Sequence, residues 1–128
     1  MQSEAVQFLS VDEAIAIHER LIERFGGTSG IRDKGLLESA LYRPQTGYYE
    51  DLAEMAAALF QSLLLNHAFL DGNKRAAFFV TDTFLRLNGW KLSVNAASTY
   101  DHIVGMLNAG DSSFDEILAW IKASLAKS

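Results

Sequence analysis

Apolar residues recur at helical spacing along nearly the whole chain, separated by short polar breaks, and this pattern predicts an all-α fold of about six helices. Ser10-Val11-Asp12-Glu13 has the form of a capping box, in which a hydroxyl and a carboxylate satisfy amides that a first turn leaves unpaired. It opens a helix that places Ala14, His18, Leu21, Ile22 and Phe25 on one face, and Gly26-Gly27 ends it. Asp33 can cap a short second helix through Tyr42, after which Arg43-Pro44-Gln45-Thr46-Gly47 breaks the chain. A third helix is expected from about Asp51 to Asn66, with a stripe of Leu52, Met55, Ala56, Leu59, Phe60, Leu63 and Leu64. His67 continues that stripe, so its ring is expected to point inward, to the core or to a cleft. A fourth runs from about Asn73 to Asn88. Both carry so few polar positions that they read as central helices. Trp90 to Val94 forms a short, extended link. Asn95 can cap a fifth helix to about Asn108, and Ser112 or Ser113 a sixth from Phe114 to Leu125.

Composition narrows the class. The 128 residues are 49 % hydrophobic and 21 % charged, which fits one globular domain with a core of its own. The absence of Cys excludes disulfide staples, thiol catalysis and Cys-based zinc sites. No apolar run reaches the roughly 20 residues that cross a bilayer, and no basic then apolar leader is visible, so a cytoplasmic protein is expected, with no membrane partner. A net charge of −5 disfavours direct nucleic-acid binding, which depends on neutralising phosphates, and suits a partner with a basic face.

The candidate chemistry lies between the two central helices, in His67-Ala68-Phe69-Leu70-Asp71-Gly72-Asn73-Lys74-Arg75. Asp71-Gly72-Asn73 alone is an ordinary capped turn. His67, Phe69, Lys74 and Arg75 at these spacings make it more. Gly72 allows a sharp turn and close approach of a ligand. The amides of Gly72, Asn73, Lys74 and Arg75 then fall at a helix N-terminus, where unpaired N–H groups and the dipole favour an anion. Lys74 and Arg75 add charge, although the Lys74 side chain is equally placed to reach phosphate or solvent. Asp71 suits Mg²⁺, a hard cation that takes carboxylate and phosphate oxygens. An imidazole titrates near cell pH, so His67 can accept a proton from an attacking hydroxyl. The combination describes phosphoryl or nucleotidyl transfer.

The other candidates have plainer readings. His18 on an apolar stripe is expected to be a bonded core residue, and His102 beside Asp101 to be solvated. Asp82 reads as a buried structural acceptor and Arg86 as surface or ion-paired. With three His far apart in sequence, a His-based metal centre has little support.

Residues 67–75 resemble the signature of the Fic/Doc superfamily, His-x-Phe-x-(Asp/Glu/Asn)-Gly-Asn-(Gly/Lys)-Arg, with the Lys of the death-on-curing branch. The segment Phe25-Gly26-Gly27-Thr28-Ser29-Gly30-Ile31-Arg32-Asp33, then Gly35 to Ala40 and Arg43-Pro44, is similar to the stretch that precedes the motif in that branch, and Leu85 to Gly89 to the stretch after it. The resemblance implies a Fic-type fold and a protein kinase toxin that uses ATP and Mg²⁺. By it, His67 is the catalytic base, Asp71 the metal ligand, and Gly72, Asn73, Lys74 and Arg75 the phosphate cradle. Phe69 corresponds to a core anchor. Tyr48 and Tyr49 fall where family members carry a flap that aligns the target, though aromatic packing under a loop explains them equally well. The implied target is elongation factor Tu, and the implied inhibitor a Phd-like antitoxin acting in trans. AMP-transferring members carry a second Arg where this chain has Phe78, which turns the expectation from AMP transfer to phosphate transfer. The self-inhibitory (Ser/Thr)-x-x-x-Glu-(Gly/Asn) pattern fails at its last position in both Thr46–Asp51 and Ser112–Ile117. Fic-type AMP transfer, a silent antitoxin-binding module and a helix-turn-helix DNA binder are the competing readings. The intact motif argues against the silent module, and the apolar fourth helix against the DNA binder.

Overall fold

The computed structural model describes residues 5–128 apart from 95 and 111. Six α-helices are present among them: α1 (Val11–Phe25), α2 (Lys34–Tyr42), α3 (Leu52–Asn66), α4 (Asn73–Leu87), α5 (Ala96–Ala109) and α6 (Phe114–Ser124). One 3₁₀ turn, Arg43–Gln45, carries Pro44 at its start, where a missing N–H costs nothing.

The helix starts follow from side-chain caps. Ser10 Oγ accepts from Glu13 N at 3.1 Å and Glu13 Oε1 from Ser10 N at 2.8 Å, which completes the capping box of α1. Asp33, Asp51 and Ser113 cap α2, α3 and α6 in the same one-sided way, with bonds of 3.0, 2.8 and 3.2 Å. The expected cap of α5, Asn95, lies outside the described residues. His18 is buried in α1, as its place on the apolar stripe implies.

The core is built around α3 and α4, which pack on each other more extensively than any other pair of elements; α3 also carries α2 and α6 on its flanks. Ala56, Ala57 and Ala58 are fully buried, and these small side chains allow close approach of neighbouring helices while Phe60, Leu63 and Leu64 fill the space between. α4 buries Ala76, Ala77, Phe78, Val80, Phe84 and Leu85. A helix pair this apolar is stable only as the inside of the molecule.

Two features depart from the expectation. First, α6 stops at Ser124, and Leu125–Lys127 forms a strand, β2, antiparallel to Trp90–Leu92, β1. The extended link is therefore one edge of a two-stranded ribbon, with Leu92 opposite Leu125. Second, although α3 ends at Asn66 as expected, His67 does not continue its register and lies beyond it in a left-handed conformation, φ 51° and ψ 52°. Helical register no longer applies there, so His67 leaves the buried stripe and is exposed. None of the described helices is long and apolar enough to cross a membrane.

Candidate active site

The α3–α4 loop is held from below and from one side. Beneath it, Phe69 is buried and stacks on His18 with ring centroids 3.9 Å apart and planes 4° from parallel. The His18 Nε2 lies 2.7 Å from the carbonyl oxygen of Asp71. A carbonyl only accepts, so Nε2 carries the proton. From the side, residues 28–33 run antiparallel to the loop. Leu70 N donates to Gly30 O at 3.1 Å, and Arg32 N and Asp33 N both donate to Ala68 O, at 2.8 and 3.0 Å. Ile31 and Phe69 form an isolated bridge. The Arg32 side chain reaches the end of α3, with Nε donating to His67 O at 2.6 Å and an Nη to Asn66 O at 2.8 Å.

Gly72 takes a positive φ of 73°, which reverses the chain into α4. Asn73 turns its side chain back, accepting from Phe69 N at 3.1 Å and donating to Phe69 O at 3.0 Å. Its share of an anion site is thus its main-chain N–H. The first helical bond of α4 is made by Ala76 N to Gly72 O, so the amides of Asn73, Lys74 and Arg75 precede it. Gly72 N is different, because it donates to Asp71 Oδ1 at 2.8 Å. Three amides of the expected four therefore remain for an anion.

Asp71 Oδ2 accepts from Thr28 N at 3.0 Å. The amides of Thr28 and Gly72, in that order of effect, hold this carboxyl below its ordinary value of 3.8, so it is ionised at neutral pH. Close packing at this point requires Gly27, since a Cβ there would lie 2.7 Å from Asp71 Oδ2. The geometry fits a hard cation. Each carboxylate oxygen keeps lone pairs beyond the one amide it accepts. No group of three His, Asp or Glu among the described residues is placed to enclose a metal, so a cation here would draw its remaining ligands from phosphate and water, as Mg²⁺ ordinarily does.

His67, Asp71, Gly72, Asn73, Lys74 and Arg75 line one cleft of about 490 Å³, with Leu64, Leu70 and Leu107 as its apolar wall. That is within the ~300–1,000 Å³ usual for small-molecule sites. Of the two directions open to His67, the cleft is the one it takes. Arg75 places its guanidinium 4.4 Å from the centroid of the Phe25 ring. The apolar pattern puts Phe25 on the buried face of α1; at 41 % exposure it is instead a platform for a cation.

Tyr48 and Tyr49 are not among the residues lining this cleft. They border a separate depression with Arg43, Glu50, Glu54, Phe114 and Asp115. Tyr49 OH accepts from Arg43 Nε at 2.8 Å, whereas Tyr48 is 81 % exposed. No strand forms around them. Asp82 is the structural acceptor its place implies: it pairs with Arg86 at 2.7 Å, and its Oδ1 accepts from Leu92 N at 2.8 Å. His102 is exposed but stacks on Trp120 at 5.2 Å.

The profile of the Fic/DOC family matches residues 8–85. The chain is 50 % identical over 76 residues to the Toxin Doc of Mycolicibacterium smegmatis, a match covering 56 % of this chain and 58 % of that toxin. It is 38 % identical over 88 residues to the Protein kinase doc of Escherichia phage P1, covering 66 % of this chain and 70 % of that protein. The chain thus spans less than two thirds of the first relative's length.

Proposed function

This chain belongs to the Fic/DOC family, and on that premise we propose that it is the toxin of a toxin–antitoxin pair and transfers the γ-phosphate of ATP to a Ser or Thr hydroxyl of a protein target. The observation that carries the reading is the single cleft lined by His67, Asp71 and the N-terminus of α4. In it a base, an ionised carboxylate and an anion cradle face one volume, as transfer of a charged phosphoryl group requires. The imidazole of His67 takes the proton of the attacking hydroxyl as its oxygen bonds to the γ-phosphorus. The bond from that phosphorus to the β–γ bridging oxygen breaks, and ADP leaves. The amides of Asn73, Lys74 and Arg75, with the side-chain charges of Lys74 and Arg75, hold the phosphate oxygens and offset their charge. Mg²⁺ bound at Asp71 would supply further neutralisation of phosphate charge.

Transfer of phosphate, not AMP, is favoured by Phe78. It stands where AMP-transferring relatives carry their second Arg, and here it is buried in edge-on contact with Phe79 at 5.0 Å, which leaves no cation at that position. The target that the family resemblance points to is elongation factor Tu, whose modification would arrest translation. The test is incubation with Mg-ATP and that factor, followed by intact-mass measurement, with His67→Ala as control. A gain of one phosphate that the variant abolishes is expected. An AMP-sized gain would overturn the kinase reading, and an unmodified factor would overturn the target.

Inhibition is assigned to a Phd-like antitoxin in trans, with a disordered tail that folds on binding. A partner that binds only the folded toxin raises its melting temperature as concentration rises. Differential scanning fluorimetry with the co-encoded protein is expected to show that rise, and an unchanged melting temperature would remove the antitoxin from the proposal.

A further inference from the structure

His67 is the only residue other than Gly with a positive φ among the described residues. A left-handed conformation at a residue with a Cβ persists only where its surroundings fix it. Helices often end in this conformation, but usually with Gly. Here the position cannot be Gly if its side chain is to do chemistry, so something else must hold the backbone.

We propose that Arg32 is the positioning residue for His67. The two carbonyls its guanidinium takes, Asn66 O at 2.8 Å and His67 O at 2.6 Å, belong to the peptide planes on either side of the His67 Cα. The angle between those planes is what φ and ψ of His67 define. A rigid fork bonded to both therefore fixes the pair of dihedrals, and with them the direction of the Cα–Cβ bond into the cleft. The main-chain N of Arg32 adds a third consecutive contact, to Ala68 O at 2.8 Å. These carbonyls sit at the negative end of the α3 dipole, which favours a cation there. Lys presents a single ammonium with no planar fork and reaches one carbonyl well, not two in fixed relation. Arg32 is exposed, and its side chain fills no core volume, so Arg32→Lys is compatible with folding.

This inference rests on the reading of His67 as the base for its kinetic consequence, but its structural half is independent of that reading. Two measurements on wild type, Arg32→Lys and Arg32→Ala keep them apart. The first is the intraresidue HN–Hα NOE of His67, which is strong only for a positive φ. It is expected in the wild type and weakened in both variants; an equally strong NOE in the variants would overturn the proposal, whether or not the protein phosphorylates anything. The second is the split between kcat and KM. Misplacing a reacting group by about 1 Å can cost on the order of 10²-fold in rate. A fall in kcat of that order is expected in Arg32→Ala, with partial recovery in Arg32→Lys. The KM for ATP should stay within about twofold, because the α4 amides are untouched. An unchanged kcat, or a loss carried by KM alone, would overturn the positioning role. Transfer absent in the wild type would instead count against the proposed function, while the NOE still decides the role of Arg32.

Discussion

Asp71 shows how much of the site can depend on main-chain groups that a sequence does not display. Its acidity and its place before Gly72 were legible; that Thr28 and Gly72 would each donate an amide to it was not, because the first comes from a loop 43 residues away. The same holds for His18, legible as buried but bonded to the carbonyl of Asp71, and for Arg32, which reaches His67 across 35 residues. A motif shows the groups that touch a ligand; the groups that aim them need only arrive by folding. The Asp71 carboxyl is held below 3.8 in the folded state, so the unfolded chain binds more protons in the acid range and stability rises with pH there. The advantage of wild type over Asp71→Asn should therefore be full at pH 7 and shrink as pH falls below about 4 through the folded value. Urea titrations of both proteins at pH 7, 5 and 3 check this, and a gap that widens toward acid would contradict it. Arg75 gives a second expectation at this scale. Phe25→Leu removes the ring under its guanidinium, a contact worth about 0.5–1 kcal/mol at an exposed site. If Arg75 serves phosphate, the KM for ATP should rise about two- to fivefold, on a scale of 1.36 kcal/mol per tenfold, with kcat little changed.

At the scale of elements, legibility followed length and capping. Asp33, Asp51 and Ser113 each announce a helix start because a short polar side chain has few other uses just before an apolar periodic run. β2 was hidden because Leu125-Ala126-Lys127 is three residues long and continues the helical spacing of α6; only pairing with β1 makes it a strand. His67 falls on the stripe of α3 for a similar reason, since periodicity does not show that the residue just past a helix end turns left-handed. The interior of α3 holds the opposite lesson, for its burial could be read directly. Phe60 is fully buried and lies 5.1 Å from the Trp120 ring, which joins α3 to α6. Phe60→Ala removes that contact and leaves a cavity in a helix packed on three others, for an expected loss of about 3–5 kcal/mol. Chemical denaturation measures it, and a loss under about 1 kcal/mol would mean that the core around α3 collapses to fill the space.

Across the whole molecule, α4 works at both ends. Its N-terminus carries the proposed anion site, and farther along the same helix Asp82 fastens the C-terminal closure. Asp82 Oδ1 takes the buried amide of Leu92 in β1, and Oδ2 takes Arg86 Nε. β1 in turn holds β2, with Lys127 Nζ 5.0 Å over the Trp90 ring and Ser93 N donating to Ser124 O at 2.7 Å. This carboxylate thus ties the β1–β2 ribbon to α4, beside the packing of Leu92 in the core. Among the described contacts this carboxylate makes none with the cleft-lining residues, so the closure and the chemistry are separable. Asp82→Ala leaves the Leu92 amide buried without an acceptor, a defect that costs about 1–3 kcal/mol. Melting temperature should fall accordingly. Phosphoryl transfer per folded molecule, assayed well below the melting transition, should match the wild type, because the loop from His67 to Arg75 keeps every contact it has. A variant that melts normally would show that pairing with β2 and the burial of Leu92 hold β1 without this carboxylate; one that folds but loses kcat would mean that the two ends of α4 communicate, and that the rigidity of this helix is part of how the proposed phosphate site is set.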